Sequence, residues 1–476
     1  MLKNKPYKYL IPLSMCLAVV SCTPKLAPLA ASKTVPESFE KSTDTNTIAI
    51  TPWRTYFKDP NLIYLIDTAL KNNQELLITL QEIEIAKNDI RVRKGALLPQ
   101  VGVGAGAGIE KVGLYTSQGA GDASTEISPG KEMPDPLGDL KIVAYAHWEV
   151  DIWKKLRNSK KAAVSRYLAT VEGKNFVITS LIAEVADSYY ELVALDNQLA
   201  IVKQTIALQS NALEIVKFQK QAARSTELAV QKFQAEVMAS RSMEFDLLQK
   251  IKETENTINF LLGQYPQEIK RGSIVFDAGL PAIVQAGVPA QLLANRPDIK
   301  QAELELQAAK LDVKTARAEF YPSLDITAGV GFNAFKPNYL FKMPESLLYS
   351  LVGDVVAPLI NRNALKAEYS SANARQIQAL YNYERTILNA YLEVSSQLSK
   401  INNLEKSYDL KSQQVAALNR SIDVAGDLFK SARVDYFEVL MTQRDALESK
   451  LELIETKKAQ LNAVVHVYRD LGGGWK

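Results

Sequence analysis

The sequence is poor in the residue types that usually build reactive centres. It contains two cysteines and two histidines among 476 residues. Neither His147 nor His466 has a carboxylate or a cysteine nearby at metal-ligand spacing. No nucleophile elbow, Walker loop or metalloprotease helix is found along the sequence. We therefore expect no catalytic residues, no metal and no cofactor, and we predict that the chain is not an enzyme.

Long apolar runs and an excess of charge of one sign are also missing. The formal net charge is +3, and Lys3, Lys5 and Lys8 account for it, which leaves the rest of the chain neutral in side-chain charge. A neutral chain has no electrostatic footprint for nucleic acid. Beyond the N-terminus no apolar run reaches about 18 residues, so we predict no membrane-spanning helix. If the chain crosses a membrane, it must do so as strands.

The N-terminus has the order of parts found in export signals. The three lysines precede the apolar run LIPLSMCLAVV, which leads through Ser21 to Cys22. This arrangement is typical of a bacterial lipoprotein signal, residues 1–21, with lipidation of Cys22; the alternative is an ordinary export signal and an incidental cysteine. Because Thr23 rather than Asp follows, nothing indicates retention in the inner membrane. Since Cys16 would leave with the signal, no disulfide is expected within the mature chain.

Proline is absent from two long spans. Leu137–Tyr265 and Leu359–Lys476 contain 129 and 118 residues without it, and glycine is scarce in both. Apolar residues there recur at steps of three, four or seven, as in the series from Val394 to Phe429. This spacing predicts long helices packed as coiled coils. A helix from Lys154 to Gln219 would be about 100 Å long, which no compact core requires.

The sequence repeats itself. The segment from Asn72 to Gly108 aligns without gaps on the segment from Asn295 to Gly331. The shared landmarks are Asn72 with Asn295, Ala86 with Ala309, Lys87 with Lys310, Asp89 with Asp312, and Pro99 with Pro322. Each copy begins as a predicted helix, stops at a proline and enters a segment of period two. We infer that the protein consists of two copies of one half.

The period-two segment of the first copy, LPQVGVGAGAGIEK, has glycine at alternate positions and fits a loose dinucleotide-binding pattern. The second copy, SLDITAGVGFNAF, places Asp and Thr where a phosphate loop needs glycine. Both copies instead alternate apolar with small or polar residues, as strands of membrane β-barrels do. Further strands are predicted after each loop. Four strands cannot close a barrel with a lumen, so we expect the barrel to be shared by several chains.

Several motifs in this order resemble the TolC-like outer-membrane factor family, and within it the lipid-anchored outer-membrane subunits of resistance-nodulation-division efflux systems. The resemblance covers essentially everything after the signal. It rests on LLGQYPQEIKRG (Leu261–Gly272), GVPAQLLANRPDIKQAELEL (Gly287–Leu306), AEFYPSLDITAGVGF (Ala318–Phe332), DYFEVLMTQRDALESKLELI (Asp435–Ile454) and VYRDLGGGW (Val467–Trp475).

This resemblance implies a mixed α and β fold in a homotrimer. Each protomer would contribute four antiparallel strands to a shared transmembrane β-barrel and long coiled-coil helices to a tunnel through the periplasm. The implied segments are a linker at 22–54, helices at 55–98, 154–262, 292–320 and 359–471, strands at 99–113, 140–152, 322–335 and 346–358, and equatorial segments at 263–291 and 472–476.

The resemblance also implies sites and partners. The tips that dock a periplasmic adaptor would be formed by Ala223, Arg224, Ser225, Ala432, Arg433 and Val434. Glu438 matches an acidic position near the constriction, where three carboxylates would attract cations; the alternative is a solvated glutamate on a helix face. The protein would sit in the outer membrane of a Gram-negative bacterium, among its lipids, and work with an inner-membrane pump.

Three functions are compatible with these features. The first is a passive exit duct for small toxic compounds or drugs. The second is the outer duct of a type I protein-secretion system, which shares this architecture but typically lacks the lipoprotein signal and the LGGGW ending. The third is a structural lipoprotein that spans the periplasm without a pore. Such a protein would not need strands that face lipid.

Overall fold

The computed structural model describes residues 36–39, 46–272, 286–358, 362–431 and 433–476. The predicted signal, the lipidation site Cys22 and the tip residue Ala432 lie outside the described residues. The chain divides into two compact units. Of the described residues, the first unit contains those within 84–168 and 304–381, and the second contains those within 36–83, 169–303 and 382–476.

Helices account for most of the described chain, and one four-stranded sheet accounts for most of the strand content. In chain order the helices are α1 (Trp53–Tyr56), α2 (Pro60–Asn72), α3 (Gln74–Gly95), α4 (Ser117–Ser124), α5 (Lys155–Gln221), α6 (Glu227–Leu261), α7 (Ala290–Asn295), α8 (Pro297–Ala318), α9 (Asn363–Lys430) and α10 (Tyr436–Asp470). The strands are β1 (Gln100–Glu110), β2 (Glu126–Ser128), β3 (Lys131–Glu132), β4 (Leu137–Glu149), β5 (Ser323–Ala334) and β6 (Leu347–Val356).

The duplication is visible in the lengths of the helices. Helices α5 and α9 have 67 and 68 residues, and each leads into a helix of 35 residues, α6 or α10. Helices α3 and α8, which precede the first strand of each half, both have 22 residues. The predicted proline-free spans therefore form two equivalent helical hairpins. None of the described helices has both the length and the apolar character that a membrane-spanning helix requires.

The first unit contains the sheet. Its strand order is β1-β4-β5-β6, and every neighbouring pair is antiparallel. Between β1 and β4 the chain forms helix α4 and the small hairpin of β2 and β3. Each half of the sequence thus contributes two adjacent strands, and the two halves meet at the pairing of β4 with β5.

Side-chain hydrogen bonds mark where two of these elements end. Strand β4 ends at Glu149 rather than at 152, because the carboxylate of Asp151 accepts hydrogen bonds from the backbone N–H groups of Leu156 and Arg157, both at 3.0 Å. Those bonds begin helix α5. Within the helical segment predicted at 55–98, helices α2 and α3 are separated at Asn73, which is extended and accepts a hydrogen bond from the backbone N–H of Leu76.

The main hydrophobic core lies in the second unit. Helices α2, α5, α6 and α10 contribute to it, and its largest fully buried side chains include Tyr189, Tyr468, Leu62, Ile66 and Ile182. A second cluster joins Phe39 and Leu292 to Ala390, Val394 and Val467 of the second helical hairpin. Burial of such side chains contributes roughly 1.5–3 kcal/mol each and supplies much of the free energy that holds the helices together.

The last long helix of each half ends in the same way. Gly263 and Gly472 follow α6 and α10 with positive φ values of 66° and 87°, and a Cβ at either would lie 2.5 Å from the carbonyl oxygen of Asn72 or Asn295. The next residue along each repeat then donates to the end of that helix. Asn73 Nδ2 donates to the carbonyl of Leu261 at 3.0 Å, and Arg296 Nη1 donates to that of Asp470 at 2.8 Å.

The arginine in the second half requires compensation that the asparagine does not. Arg296 is 5% exposed and pairs with Asp298 at 2.7 Å and with Glu393 at 2.8 Å. Burial alone would lower the pKa of Arg296, but the hydrogen bonds and charges of Asp298 and Glu393 raise it, so the side chain stays charged. The motif NRPDI and the ending LGGGW therefore contact each other at the C-terminal end of helix α10.

Candidate functional site

One face of the sheet is apolar across all four strands. Cross-strand register places Val103 opposite Ala144, Ala144 opposite Val330, and Val330 opposite Tyr349. Val103, Val330 and Tyr349 are exposed, as are Val101, Ile109, Leu351 and Val355 on the same face. A broad exposed apolar surface of this kind marks contact with a lipid or with another protein. Strand pairing therefore places the apolar residues of the alternating segments β1, β4 and β5 on one face of the sheet.

The opposite face explains the alternating glycines. Gly102 pairs with Tyr145, and a Cβ at Gly102 would come within 2.7 Å of the end of the Tyr145 ring. Gly106 pairs with Lys141, whose side chain would lie 3.2 Å from such a Cβ. The missing side chains of β1 therefore leave space for the tyrosine and the lysine of β4 to lie across the neighbouring strand. The segment is not a phosphate-binding loop.

Polar and charged groups line this second face. Asn333 Nδ2 donates to Asp139 at 2.7 Å, and His147 Nε2 lies 3.8 Å from an oxygen of Asp325. Towards the ends of the strands next to the long helices, Glu149 is opposite Asp325, and Asp325 is opposite Asp354. Three carboxylates thus stand in one row across three strands.

Two nearby groups offset part of that negative charge. Lys155 Nζ lies 2.5 Å from Glu149, and the Ser323 hydroxyl donates to Asp325 at 3.0 Å. The face carrying the carboxylate row is therefore polar and acidic, in contrast with the apolar face behind it.

The first hairpin turn connects α5 to α6 and contains the predicted tip residues Ala223, Arg224 and Ser225. Ala223 has a φ of 53°, in the left-handed region that glycine adopts without strain. The backbone N–H of Arg224 donates to the carbonyl of Gln219 at 2.8 Å, and the Thr226 hydroxyl caps α6 by accepting from Ala229. Ala223 and Arg224 are exposed, whereas Ser225 is half-buried.

The second turn connects α9 to α10. Arg433 is exposed, Val434 is half-buried, and Asp435 caps α10 by accepting from the backbone N–H of Tyr436 at 2.6 Å. Glu438 lies in the first turn of α10, and its side chain is exposed. The role of Glu438 at a constriction stays a prediction.

The two hairpins pack together close to their turns. A buried cluster joins Val216 of α5 and Phe233 of α6 to Val439 and Leu440 of α10, with Phe429 of α9 packed against it. Phe233 and Val216 are fully buried. One buried cluster therefore lies beneath both turns and holds their tip residues near each other. The sequence segments, read separately, could not indicate this contact.

Both histidines have a carboxylate partner that sequence spacing did not reveal. His466 Nε2 lies 2.6 Å from Asp187, which is 279 residues earlier in the chain, and His147 faces Asp325. A single carboxylate is too few for a metal site, and no cluster of three or more candidate ligands occurs among the described residues. The pairing of helices α5 and α10 creates the first contact, so no local sequence signal points to it.

Comparison with known proteins agrees with this architecture. The sequence profile of the family described as "Outer membrane efflux protein" matches residues 65–264 and 288–473, one segment for each half. The pyoverdine export outer membrane protein OpmQ of Pseudomonas aeruginosa is 28% identical, with 98% of this chain and 96% of OpmQ covered. The cation efflux system protein CusC of Escherichia coli is 27% identical, with 98% and 99% covered.

The fold has close counterparts among solved structures. The open state of the MtrE outer membrane channel of Neisseria gonorrhoeae superposes with a TM-score of 0.81 at 22% identity, over 96% of this chain and 99% of that one. The resemblance to outer-membrane factors, the mixed α and β fold with two repeats, and the location in the outer membrane are therefore confirmed. The chain belongs to the outer membrane efflux protein family.

Proposed function

We propose that three copies of this chain form a passive duct that carries small toxic compounds or drugs out of the cell, without chemistry of its own. The proposal rests on the four-stranded sheet, which has one apolar face and one polar face. Strands β1 and β6 are its edges, so each has one side without a strand partner in the described chain. Exposed strand edges pair with other chains, and pairing in a ring would turn the apolar face to lipid and the polar face to a lumen.

The hairpin turns are the proposed contact with a periplasmic adaptor. Ala223, Arg224, Ser225, Arg433 and Val434, together with Ala432, would form it. Beside the first turn, Phe218 and Leu228 are 66% and 59% exposed, and Lys220 pairs with Glu227 across the turn. Exposed apolar side chains rimmed by charge are typical of protein-binding surfaces.

Glu438 is the proposed constriction residue. Three copies at a narrow mouth would favour cations over anions. Its exposure in the first turn of α10 is compatible with this role. Planar-bilayer recordings of Glu438→Gln should show lower cation selectivity, with Glu448→Gln, further along α10, as the matched control. An unchanged reversal potential would mean that Glu438 is a solvated surface residue.

Cys22 is the proposed lipid attachment site, which would hold the assembly at the outer membrane while an inner-membrane pump supplies the energy. What passes through the duct is a separate question. OpmQ is named for pyoverdine export and CusC for cation efflux. In such systems the pump selects the cargo, so we propose only the broad class of small toxic compounds. An outer duct for protein secretion is the alternative.

One purification tests the assembly. A C-terminally tagged chain, mildly cross-linked in whole cells and purified from the outer-membrane fraction, should yield a lipidated trimer with an adaptor and a proton-driven pump by mass spectrometry. Chains carrying Cys22→Ala should lose the lipid mass. A monomer, or a complex without an adaptor, would contradict the efflux duct and favour the structural lipoprotein. A partner that transports peptides with ATP would favour protein secretion.

A further inference from the structure

The loop that joins β5 to β6 consists of residues 335–346 and is called the outer loop below. Strand β5 follows helix α8, and strand β6 precedes helix α9. The outer loop therefore lies at the end of the sheet opposite to the strand ends that lead to these helices. In the proposed duct the long helices extend into the periplasm, so this loop would come to the outer surface of the membrane.

Hydrogen bonds within the outer loop fix its backbone. Ser346 is 6% exposed, and its hydroxyl donates to the carbonyl of Tyr339. The backbone N–H of Ser346 donates to the carbonyl of Lys342 at 2.9 Å, and that of Lys342 donates to the carbonyl of Tyr339 at 3.0 Å. The backbone N–H of Asn333 in turn donates to the carbonyl of Ser346 at 2.9 Å. The exposed side chains of the loop are thus held on a defined frame, which lowers the entropy lost on binding.

The outer loop bends towards the apolar face of the sheet. Phe332 continues the apolar series of β5 on that face, and the ring of Phe341 packs edge-on against it with centroids 5.6 Å apart. Gly138 pairs with Ile109 and so lies on the same face. A Cβ at Gly138 would be 2.5 Å from the carbonyl oxygen of Phe335. Two separate contacts therefore place the loop over the apolar side.

Large apolar side chains of the outer loop extend this face beyond the ends of the strands. Phe341 is 67% exposed and Met343 is 65% exposed. Tyr339 lies between the ring of Phe335, at 5.7 Å between centroids, and the Nζ of Lys342, at 5.2 Å from its centroid. Aromatic residues at the rim of an apolar band are typical of the interfaces of membrane barrels. The surface is continuous with the face that the proposed ring turns to lipid.

The same loop carries positive charge that no acidic group balances. Lys336 and Lys342 are exposed, and neither forms an ion pair with any residue in the described ranges. Glu345 is the one acidic residue of the outer loop, which leaves a net charge of +1. The loop between β1 and β4 differs, because its Lys111 pairs with Asp135 at 3.2 Å. The outer loop therefore combines exposed apolar groups with two free ammonium groups.

We propose, on the basis of the duct inferred above, that the outer loop binds a phosphate-bearing lipid of the outer leaflet. Its phosphate groups would meet Lys336 and Lys342, and its acyl chains would cover Phe341 and Met343. Basic side chains beside a membrane attract anionic headgroups, whereas a lipid without negative charge gains nothing from them. A free phosphate ion has no acyl chains to cover the apolar groups.

Native mass spectrometry of the full-length protein in a non-ionic detergent tests the lipid class, with diphosphoryl lipid A as the probe. We expect the trimer to retain lipid A and to lose most of it when the lipid has been dephosphorylated. Lys336→Gln/Lys342→Gln should reduce retention by about fivefold for each lysine, and Lys336→Arg/Lys342→Arg should preserve it. Lys250→Gln/Lys400→Gln, exposed on the long helices, removes the same charge and should have no effect. Excess inorganic phosphate at constant ionic strength should not displace the lipid.

A fluorescent label tests where the loop lies. A nitrobenzoxadiazole label on Phe341→Cys, in vesicles that contain lipid A, should be quenched by lipids with spin-labelled acyl chains. The same label on Asn333→Cys, whose side chain is on the polar face, should not be quenched. Wild-type protein treated with the label gives the background.

Failure of the lipid site and failure of the duct are distinguishable. A chain that gives no trimer in the native spectrum contradicts the duct. A trimer whose lipid retention is the same with or without the phosphates, or in the double glutamine variant, overturns the lipid site and leaves the duct intact. A label on Phe341→Cys that acyl-chain quenchers do not reach also overturns it.

Discussion

At the scale of single residues, backbone conformations explain motifs that read as mere patterns in the sequence. Gly472 and Gly474 of the LGGGW ending have φ values of 87° and 103°, and Gly473 lies against the ring of Tyr468. The Trp475 indole N–H donates to the carbonyl of Asn295 at 3.3 Å. The C-terminal residues are thus shaped to fold back on the turn that contains Arg296.

Gly472→Ala should destabilise the protein. The added Cβ would meet the carbonyl oxygen of Asn295 at 2.5 Å, and the left-handed conformation alone costs alanine roughly 1–2 kcal/mol. We expect a lower midpoint of urea unfolding. Gly426→Ala is the matched control, because it lies inside helix α9 with no atom within 4 Å of the new Cβ, and it should stabilise by up to about 1 kcal/mol. Equal effects of the two variants would contradict the proposed role of Gly472.

Ala223→Gly should stabilise the first hairpin turn. Ala223 holds a φ of 53°, so glycine removes roughly 1 kcal/mol of strain from the folded turn, partly offset by the greater entropy of the unfolded chain. Hydrogen exchange of the turn amides should slow. Ala222→Gly, one residue earlier, relieves no such strain and should leave exchange unchanged or faster. Faster exchange in Ala223→Gly would show that the strain is absent.

At the scale of elements, the start of helix α5 illustrates how a side chain ends a strand and begins a helix. Asp151 accepts from Leu156, from the Arg157 backbone and from Arg157 Nε. Burial alone would raise the pKa of Asp151, but the hydrogen bonds from Arg157 and Leu156 lower it. A carboxyl whose folded-state pKa is lowered stabilises the fold above its unfolded pKa, and that contribution is lost as pH falls through the folded value.

Asp151→Asn should therefore cost about 1 kcal/mol at neutral pH, the usual magnitude for a helix cap. The difference from the wild type should shrink as the pH falls below about 4, the ordinary pKa of an aspartate in the unfolded chain, and should be lost below the lowered folded-state pKa. Thermal unfolding across a pH series measures this. Asp139→Asn, on another carboxylate of the first unit, controls for a general charge effect. A cost that stays constant with pH would exclude the charge of Asp151 as its source.

At the scale of the whole molecule, the two edge strands of the described sheet are the places where other chains would pair. Strands β4 and β5 are paired on both sides, whereas β1 and β6 are each paired on one side. The polar face of this sheet carries Tyr145, Lys141 and the carboxylate row, which lipid would not accommodate. A ring of three such sheets is the arrangement that turns all these groups to water.

A disulfide panel tests that ring. Gly104→Cys in β1, combined in turn with Leu348→Cys, Ser350→Cys, Val352→Cys or Asp354→Cys in β6, should give a covalent trimer in one register, because these positions share the polar face. Denaturing gels read the result. Val143→Cys in β4 with the same partners should form no bond between chains, since both edges of β4 are already paired. Absence of cross-links from the whole panel would contradict pairing of β1 with β6.

Much of the architecture was predictable because it is periodic. The two proline-free spans became hairpins of 67 and 35 and of 68 and 35 residues, and the alternation of β1, β4 and β5 became one apolar face. Boundaries were less predictable, since Asp151 and Asn73 end elements through their own side-chain hydrogen bonds. The roles of Glu438, the tip residues and Cys22 stay predictions, because they depend on other chains or on lipid.

The sequence by itself determined the family, the duplication, the helix lengths and the strand faces, because these follow from repeats, from intact motifs and from side-chain spacing along one segment. Only the tertiary structure decided which residues share a site. Asp187 meets His466 across 279 residues, and Arg296 reaches Asp470 across 174. No local pattern encodes such contacts, since they exist only after distant helices and strands have packed.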